Sequence, residues 1–299
     1  MASANLPDLK TLRLLSALET SSAESLATGS WSQLQTLDMC NNSLGATAIA
    51  HLASAAWPLL QSLNLCGNDL DAEAVRHLVS ASCFSLTNLD LSSNKLDAAA
   101  VQALASGGLS QLTSLHLSCN NLNAVAIAHL VGGDWSGLQS LHLVATHLGA
   151  SAIEQLVRGN WASLTFLDLF MNRLDTAALE QLVRNSWLQL RTLNLGCSHV
   201  NADGISQLIK HNWALLQSLV LSGNNLDSLA LQQLIKGSWP QLQRLDLMYN
   251  CISIAHFASL GTGNEPLMQS GETCFEPPIH LCGRQWMRLK GVILGHSQS

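Results

Sequence analysis

The chain has 299 residues, 47% hydrophobic and only 11% charged, and its 14 Lys and Arg against 20 Asp and Glu give a net charge of −6. No Lys/Arg cluster interrupts that acidic balance, so the basic footprint needed for nucleic acid is missing, as is the attraction to an anionic membrane. No apolar run approaches the ~18 residues of a spanning helix, and the opening Met-Ala-Ser-Ala-Asn-Leu-Pro-Asp carries no signal-peptide apolar segment.

Residues 1–30 form an atypical first coil. Leu9, Leu12 and Leu14 have the spacing of a short half-buried strand, and Leu26 falls on the helical stripe that follows. The outer edge of this strand carries Pro7, Lys10 and Arg13, residue types that discourage another strand from pairing there.

From residue 31 onward a tryptophan returns every 26 residues, at Trp31, Trp57, Trp135, Trp161, Trp187, Trp213 and Trp239, with Cys83 and Leu109 holding the register between. A fixed period of this length is the signature of a solenoid. Apolar residues fall 3, 6, 8 and 13 places after each Trp, as in Leu34, Leu37, Met39 and Leu44 or Leu190, Leu193, Leu195 and Val200. The middle pair alternates with polar neighbours, which predicts a short strand with one face buried. Eleven places after the Trp stand Asn42, Asn68, Asn94, Asn120, Asn172, Asn224 and Asn250, with Thr146 and Ser198 in two coils. A buried amide left unsatisfied costs about 1–3 kcal/mol, so a ladder of hydrogen bonds to the turns leaving each strand is expected.

The second half of each repeat carries a helical stripe, for example Ala72, Ala74, Val75, Leu78 and Val79, or Ala150, Ala152, Ile153, Leu156 and Val157. Its alanines are small enough for adjacent helices to approach closely. Asp71, Asp97 and Asp175 stand where an acidic N-cap is favoured. Gly107, Gly133, Gly159 and Gly237 are expected as helix stops. After Trp239 the strand is regular, but Ile254 and His256 replace the small residues. From Glu265 the pattern ends, with Pro266, Pro277 and Pro278 breaking any helix. The chain thus divides into a repeat region, 1–264, and a C-terminal cap or loosely ordered tail, 265–299.

The run Leu60-x-x-Leu63-x-Leu65-x-x-Asn68-x-Leu70 resembles the leucine-rich repeat, and the helical half is similar to the ribonuclease-inhibitor type and to the GALA-type repeats of bacterial effectors. The resemblance covers roughly residues 6 to 264. It implies an α/β leucine-rich-repeat solenoid, a horseshoe of about ten 26-residue coils with parallel concave strands and convex helices. It also implies a recognition surface, in a family that spans inhibitors, receptors, substrate adaptors and GTPase regulators.

On the strand face, one exposed column runs Asp38, Asn64, Asp90, His116, His142, Asp168, Asn194, Val220, Asp246. Parallel strands lie about 4.8 Å apart, so His116 and His142 could share an ion, whereas Asp90 and Asp168, three steps apart, could not both reach it. The favoured reading is of solvated polar residues on a recognition face, with no bound metal and no cofactor. His51, His77 and His129 share a position with Gln155, Gln181, Gln207 and Gln233, so that position calls for a polar side chain and not for an imidazole. No phosphate loop, nucleophile elbow or paired-carboxylate motif appears, and no catalytic residue is assigned.

One departure stands out. Phe166 occupies a position held elsewhere by Thr36, Ser62, Asn88, Ser114, Ser140, Thr192 and Ser218, and Val144 and Phe170 replace small residues on neighbouring strands, beside Met171. An exposed apolar cluster commonly marks a binding site. His142, Val144, Phe166, Asp168, Phe170 and Met171 are therefore the candidate partner-binding residues, with His116, Val220, Met248 and Tyr249 secondary.

The function expected is non-enzymatic recognition of a protein partner by a monomer on its concave face. The alternatives are a GTPase-activator-like enzyme regulator, a metal-dependent enzyme using His116 and His142, and a substrate adaptor of a ubiquitin ligase. Eight cysteines at scattered repeat positions predict reduced thiols and a cytoplasmic setting, with the cytoskeleton, cilium or nucleus as alternatives. Cys274 and Cys282 match no metal-ligand spacing.

Overall fold

The computed structural model describes residues 6, 8–15, 20–29, 31–55, 57–81, 85–185, 187–252 and 280–282. Pro7, Cys83, Ile254 and His256 lie outside them, as does the 265–299 segment apart from His280–Cys282. Two compact units divide the chain, Met1–Leu164 and Thr165–Ser299.

In the first unit six strands alternate with six helices: β1 (Thr11–Arg13), α1 (Thr20–Ala27), β2 (Thr36–Asp38), α2 (Gly45–Ala53), β3 (Ser62–Asn64), α3 (Ala72–Ser80), β4 (Asn88–Asp90), α4 (Ala98–Ser106), β5 (Ser114–His116), α5 (Ala124–Leu130), β6 (Ser140–His142) and α6 (Ala150–Leu156). Each strand pairs in parallel with the next, in the register set by the repeat: Leu37 opposite Leu63, Leu63 opposite Leu89, Leu89 opposite Leu115, Leu115 opposite Leu141. The atypical first coil joins the same ladder, with Leu12 opposite Leu37.

The second unit repeats the plan with β7 (Phe166–Asp168), α7 (Thr176–Leu182), β8 (Thr192–Asn194), α8 (Ala202–Leu208), β9 (Ser218–Val220), α9 (Ser228–Lys236) and β10 (Arg244–Asp246). These strands are also parallel and in register. β11 (His280–Cys282) then runs antiparallel along β10.

The core of each coil is the leucine set anticipated from the spacing. Leu34, Leu37, Met39 and Leu44 are 0–4% exposed, and Leu190, Leu193, Leu195 and Val200 0–1%. A leucine fully buried contributes about 1.5–3 kcal/mol, and here it is buried largely by its counterpart one coil away, so stability accrues between neighbours. The helix alanines Ala48, Ala74, Ala100, Ala126, Ala152 and Ala178 are likewise buried. In α8 the same place is Gly204, where a Cβ would stand 2.6 Å from Cδ1 of Leu179.

The asparagine ladder is more extensive than a local turn. Asn68 Nδ2 donates to the carbonyl of Cys66 in its own turn and to that of Met39 one coil back. Its Oδ1 accepts the N–H groups of Asn42 and Leu44. One amide therefore joins two coils through both its donor and its acceptor. Ser198 performs part of the task, donating toward the carbonyls of Leu169 and Gly196 and accepting from Asn172 N. Thr146 donates to Leu143 O.

Aspartate caps behave as expected: Asp71 accepts from Glu73 N and Ala74 N, Asp97 from Ala100 N, Asp175 from Ala178 N. The glycines after the helices do not act as left-handed stops. Gly107 and Gly237 have φ of −80 and −68. Gly133, Gly159 and Gly237 instead leave room for the following indole, since a Cβ on Gly159 would stand 2.5 Å from Cε2 of Trp161. That indole lies across the helix end and donates Nε1–H to the carbonyl of Leu156 at 2.7 Å. Trp31, Trp135, Trp187, Trp213 and Trp239 do the same to the carbonyl five residues back. These six tryptophans thus cap the orphan carbonyls of the helices before them, and Trp213 and Trp239 also stack, 6.4 Å between ring centres.

Left-handed backbone does occur, at a place composition gives no hint of. In each turn leaving β2 to β10 the same position has φ between 50 and 67: Asn41, Gly67, Ser93, Cys119, Ala145, Met171, Cys197, Gly223 and Tyr249, and Ser43, Asp69, His147, His199 and Asn225, two residues on, are left-handed as well. Only two of these are glycine, so the turn imposes the conformation on side chains that disfavour it.

Candidate functional site

The open strand face carries residues that vary while the buried frame repeats. In the first unit, Asp38 and Asp90 do not stand free in solvent. Asp38 Oδ1 accepts Cys40 N, Asp90 Oδ1 accepts Ser92 N, and Asn64 Oδ1 accepts Cys66 N. Asp168, Asn194 and Asp246 do the same in the second unit, for Phe170 N, Gly196 N and Met248 N. The column is a series of Asx turns that start the bend after each strand. A signal was present in the sequence, since only Asp and Asn recur there outside the two histidines and Val220.

His116 and His142 break that pattern. Their rings stack with centres 3.9 Å apart and planes 8° from parallel. Each Nε2 lies beside the serine two residues back, Ser114 Oγ at 3.0 Å and Ser140 Oγ at 2.9 Å. An imidazole binds a metal through a lone pair in the ring plane, so two stacked rings point their nitrogens along parallel planes and do not converge on one ion. Among the described residues no group of three or more His, Cys, Asp or Glu side chains is arranged to hold a metal. Val144 is half-buried beside them, its N–H bonded to Ser118 Oγ.

In the second unit, Phe166, Asp168 and Phe170 are half-buried, as are Val220 and Met248, while Met171 is 54% and Tyr249 75% exposed. Phe170 is partly covered because its ring lies across Gly196 of the next coil, where a Cβ would stand 2.9 Å from Cδ2 and 3.1 Å from Cε2. Met171 and Tyr249 occupy the left-handed turn position described above, which directs them away from the coil. The result is a ledge made by the Phe170 ring on Gly196 with the exposed Met171 next in the chain, while Tyr249 stands three coils farther on. The sequence singled out Phe170 but not the glycine that seats it.

The described cysteines Cys40, Cys66, Cys119 and Cys197 are free thiols. The expectation of reduced thiols throughout fails at Cys251, which is disulfide-bonded. Pairing follows from which cysteines the fold brings within bonding distance, and repeat position does not encode that. No helix among the described residues is long and apolar enough to cross a membrane.

The repeating coil, a Leu-lined parallel strand, a turn braced by Asn or by a hydroxyl side chain, and a helix, is a leucine-rich-repeat unit of an α/β solenoid. Residues 82–105 and 109–127 match the leucine-rich repeat family. On the motif, the coil geometry and that match together, the chain is a leucine-rich-repeat protein. Among solved structures it is similar to one from the yeast Rad7–Elc1 complex, at 19% identity over 85% of this chain and 73% of that one, with a TM-score of 0.49. It is also similar to an internalin from Listeria monocytogenes, at 19% identity over 80% of this chain and 74% of that one, TM-score 0.45. No curated protein matches the sequence.

Proposed function

We propose that this chain is a non-enzymatic protein-recognition scaffold, and that a protein partner docks on the strand face of the second unit around Phe170. The observation that carries the reading is the Phe170 ring seated on Gly196, followed by Met171, which is 54% exposed. Large apolar side chains held in water gain about 1.5–3 kcal/mol each when a partner buries them fully. Aromatic anchors of this kind are the usual hot spots of interfaces. Asp168 is tied to the Phe170 amide, so the polar border of the ledge is also fixed in place.

The test is affinity purification from the native host with wild type and with a Phe166→Ser, Phe170→Ser double variant. Serine or threonine already stands at the Phe166 position in neighbouring coils, so folding should persist. Partner retention should drop by about tenfold or more, equivalent to about 1.4 kcal/mol. Ser62→Phe, on β3 of the first unit, should leave retention unchanged. A folded double variant that keeps its partners would place the site elsewhere.

A further inference from the structure

We propose that Cys40 and Cys66 form a two-coordinate site for a soft monovalent metal cation of the Cu(I) class, on the turn edge of the first unit. Both thiols are free, partly accessible, and occupy the same place in adjacent coils. The parallel ladder continues past the strands at this point: Met39 N bonds to Asn64 O at 2.9 Å and Asn41 N to Cys66 O at 2.8 Å. The two cysteines are therefore held one strand spacing apart, about 4.8 Å, with side chains projecting from the same side of the ladder.

That spacing discriminates between two fates for a thiol pair. A disulfide needs its sulfurs about 2.0 Å apart and its Cβ atoms about 3.8 Å apart. The Cα spacing of a disulfide, about 4.4–6.8 Å, includes the ladder distance, so it is the Cβ separation, about 1 Å shorter than that distance, that disfavours the bridge. Two metal–thiolate bonds of about 2.3 Å placed end to end span about 4.6 Å, which is close to the spacing the ladder supplies. Thiolates suit Cu(I) and zinc alike, but zinc takes four ligands, so a site with two sulfurs fits Cu(I). Unlike the stacked imidazoles of His116 and His142, a thiolate has lone pairs around the sulfur, so parallel side chains can still share one ion.

The surroundings favour the approach of a cation and oppose the loss of the two thiol protons. Asp38 and Asp90 give the locality a negative potential that draws in a cation. Cys40 also has a donor beside it, Asn41 Nδ2 at 4.0 Å from its Sγ. Capture converts two neutral thiols and one Cu(I) into an S–Cu–S unit of net charge −1 and releases two protons to solvent; copper is neither oxidised nor reduced. Burial pushes both thiols above their ordinary range, reinforced by Asp38 and Asp90 at Cys40 and by Asp90, Cys40 and Cys119 at Cys66. Capture is accordingly weaker as pH falls, because the two protons must be displaced.

The test uses the full chain, reduced and anaerobic, with Cu(I) supplied as its acetonitrile complex in competition with bathocuproine disulfonate. Wild type should retain one equivalent at this site. Cys40→Ser and Cys66→Ser should each weaken retention by about tenfold or more, while Cys119→Ser, Cys197→Ser and the His116→Ala, His142→Ala double variant should not. Serine is a safe replacement, since Ser92, Ser118 and Ser222 hold the same place in other coils. Independently of any variant, copper should protect Cys40 and Cys66 of wild type from alkylation while leaving Cys119 and Cys197 labelled. The proposal fails if the Cys40→Ser, Cys66→Ser double variant retains copper as wild type does. It also fails if only one of the two cysteines matters, if wild type retains no copper, or if copper K-edge absorption reports anything but two sulfur neighbours.

Discussion

The ring of Phe170 lies on Gly196, so closely that a Cβ on that glycine would stand 2.9 Å from the ring. The pair belongs to adjacent coils 26 residues apart, and the glycine determines the pose of the aromatic side chain.

Gly196→Ala should therefore tilt the ring without removing it. The far edge of a single side chain can move at little cost, so thermal stability should change by about 1 kcal/mol or less. Partner retention should nonetheless fall by about threefold to tenfold, or about 0.7–1.4 kcal/mol. Retention equal to wild type would mean the flat pose of Phe170 contributes nothing to recognition.

Asn68→Leu should be more damaging than Asn68→Ser. The leucine removes the acceptor of the Asn42 and Leu44 N–H groups, at about 1–3 kcal/mol for each group left buried and unpaired, while the carbonyls of Met39 and Cys66 lose one donor and keep Asn42 Nδ2 and Asn41 N. A hydroxyl recovers part of this, as Ser198 does. Asn172→Leu should likewise cost on the order of 1–3 kcal/mol. Urea unfolding followed by circular dichroism measures all three, and equal midpoints would dispose of the ladder as a source of stability.

Gly159→Ala tests the reason for the glycines. Its Cβ would meet Trp161 Cε2 at 2.5 Å and Nε1 at 2.6 Å, forcing the indole off the Leu156 carbonyl. Overpacking of this sort costs about 1–3 kcal/mol, and the fluorescence of Trp161 should shift as its ring moves. An unperturbed melting temperature would return these glycines to the role of ordinary helix stops.

Ala145→Gly should stabilise the protein. Ala145 has φ 52, where an L side chain costs about 1–2 kcal/mol, against an entropy loss for glycine of about 0.5–1 kcal/mol. The net gain should be about 0.5–1 kcal/mol in urea unfolding. The converse change, Gly223→Ala, combines φ 67 with a Cβ only 2.6 Å from Cys197 Sγ and should destabilise. If both substitutions prove neutral, the turn conformation carries no strain.

The sequence by itself determined everything that repeats through the chemistry of a single position. Leucines at fixed spacing must be buried, which assigns Leu37, Leu63 and Leu89 to the inner side of strands. An amide recurring among them must be hydrogen-bonded, and an aspartate before an apolar stripe must cap a helix. What only the tertiary structure decided depends on atoms one coil away. Gly159 is small because of an indole, not because of its own φ. Asp90 holds a turn and does not wait for a ligand. Ala145 and Tyr249 are left-handed because the exit from every strand bends alike, whatever residue stands there. His116 and His142 are stacked, and Cys40 and Cys66 sit abreast, because parallel pairing turns a separation of 26 residues into one strand spacing. A period announces that such neighbours exist; only packing fixes the distance and angle at which their side chains meet.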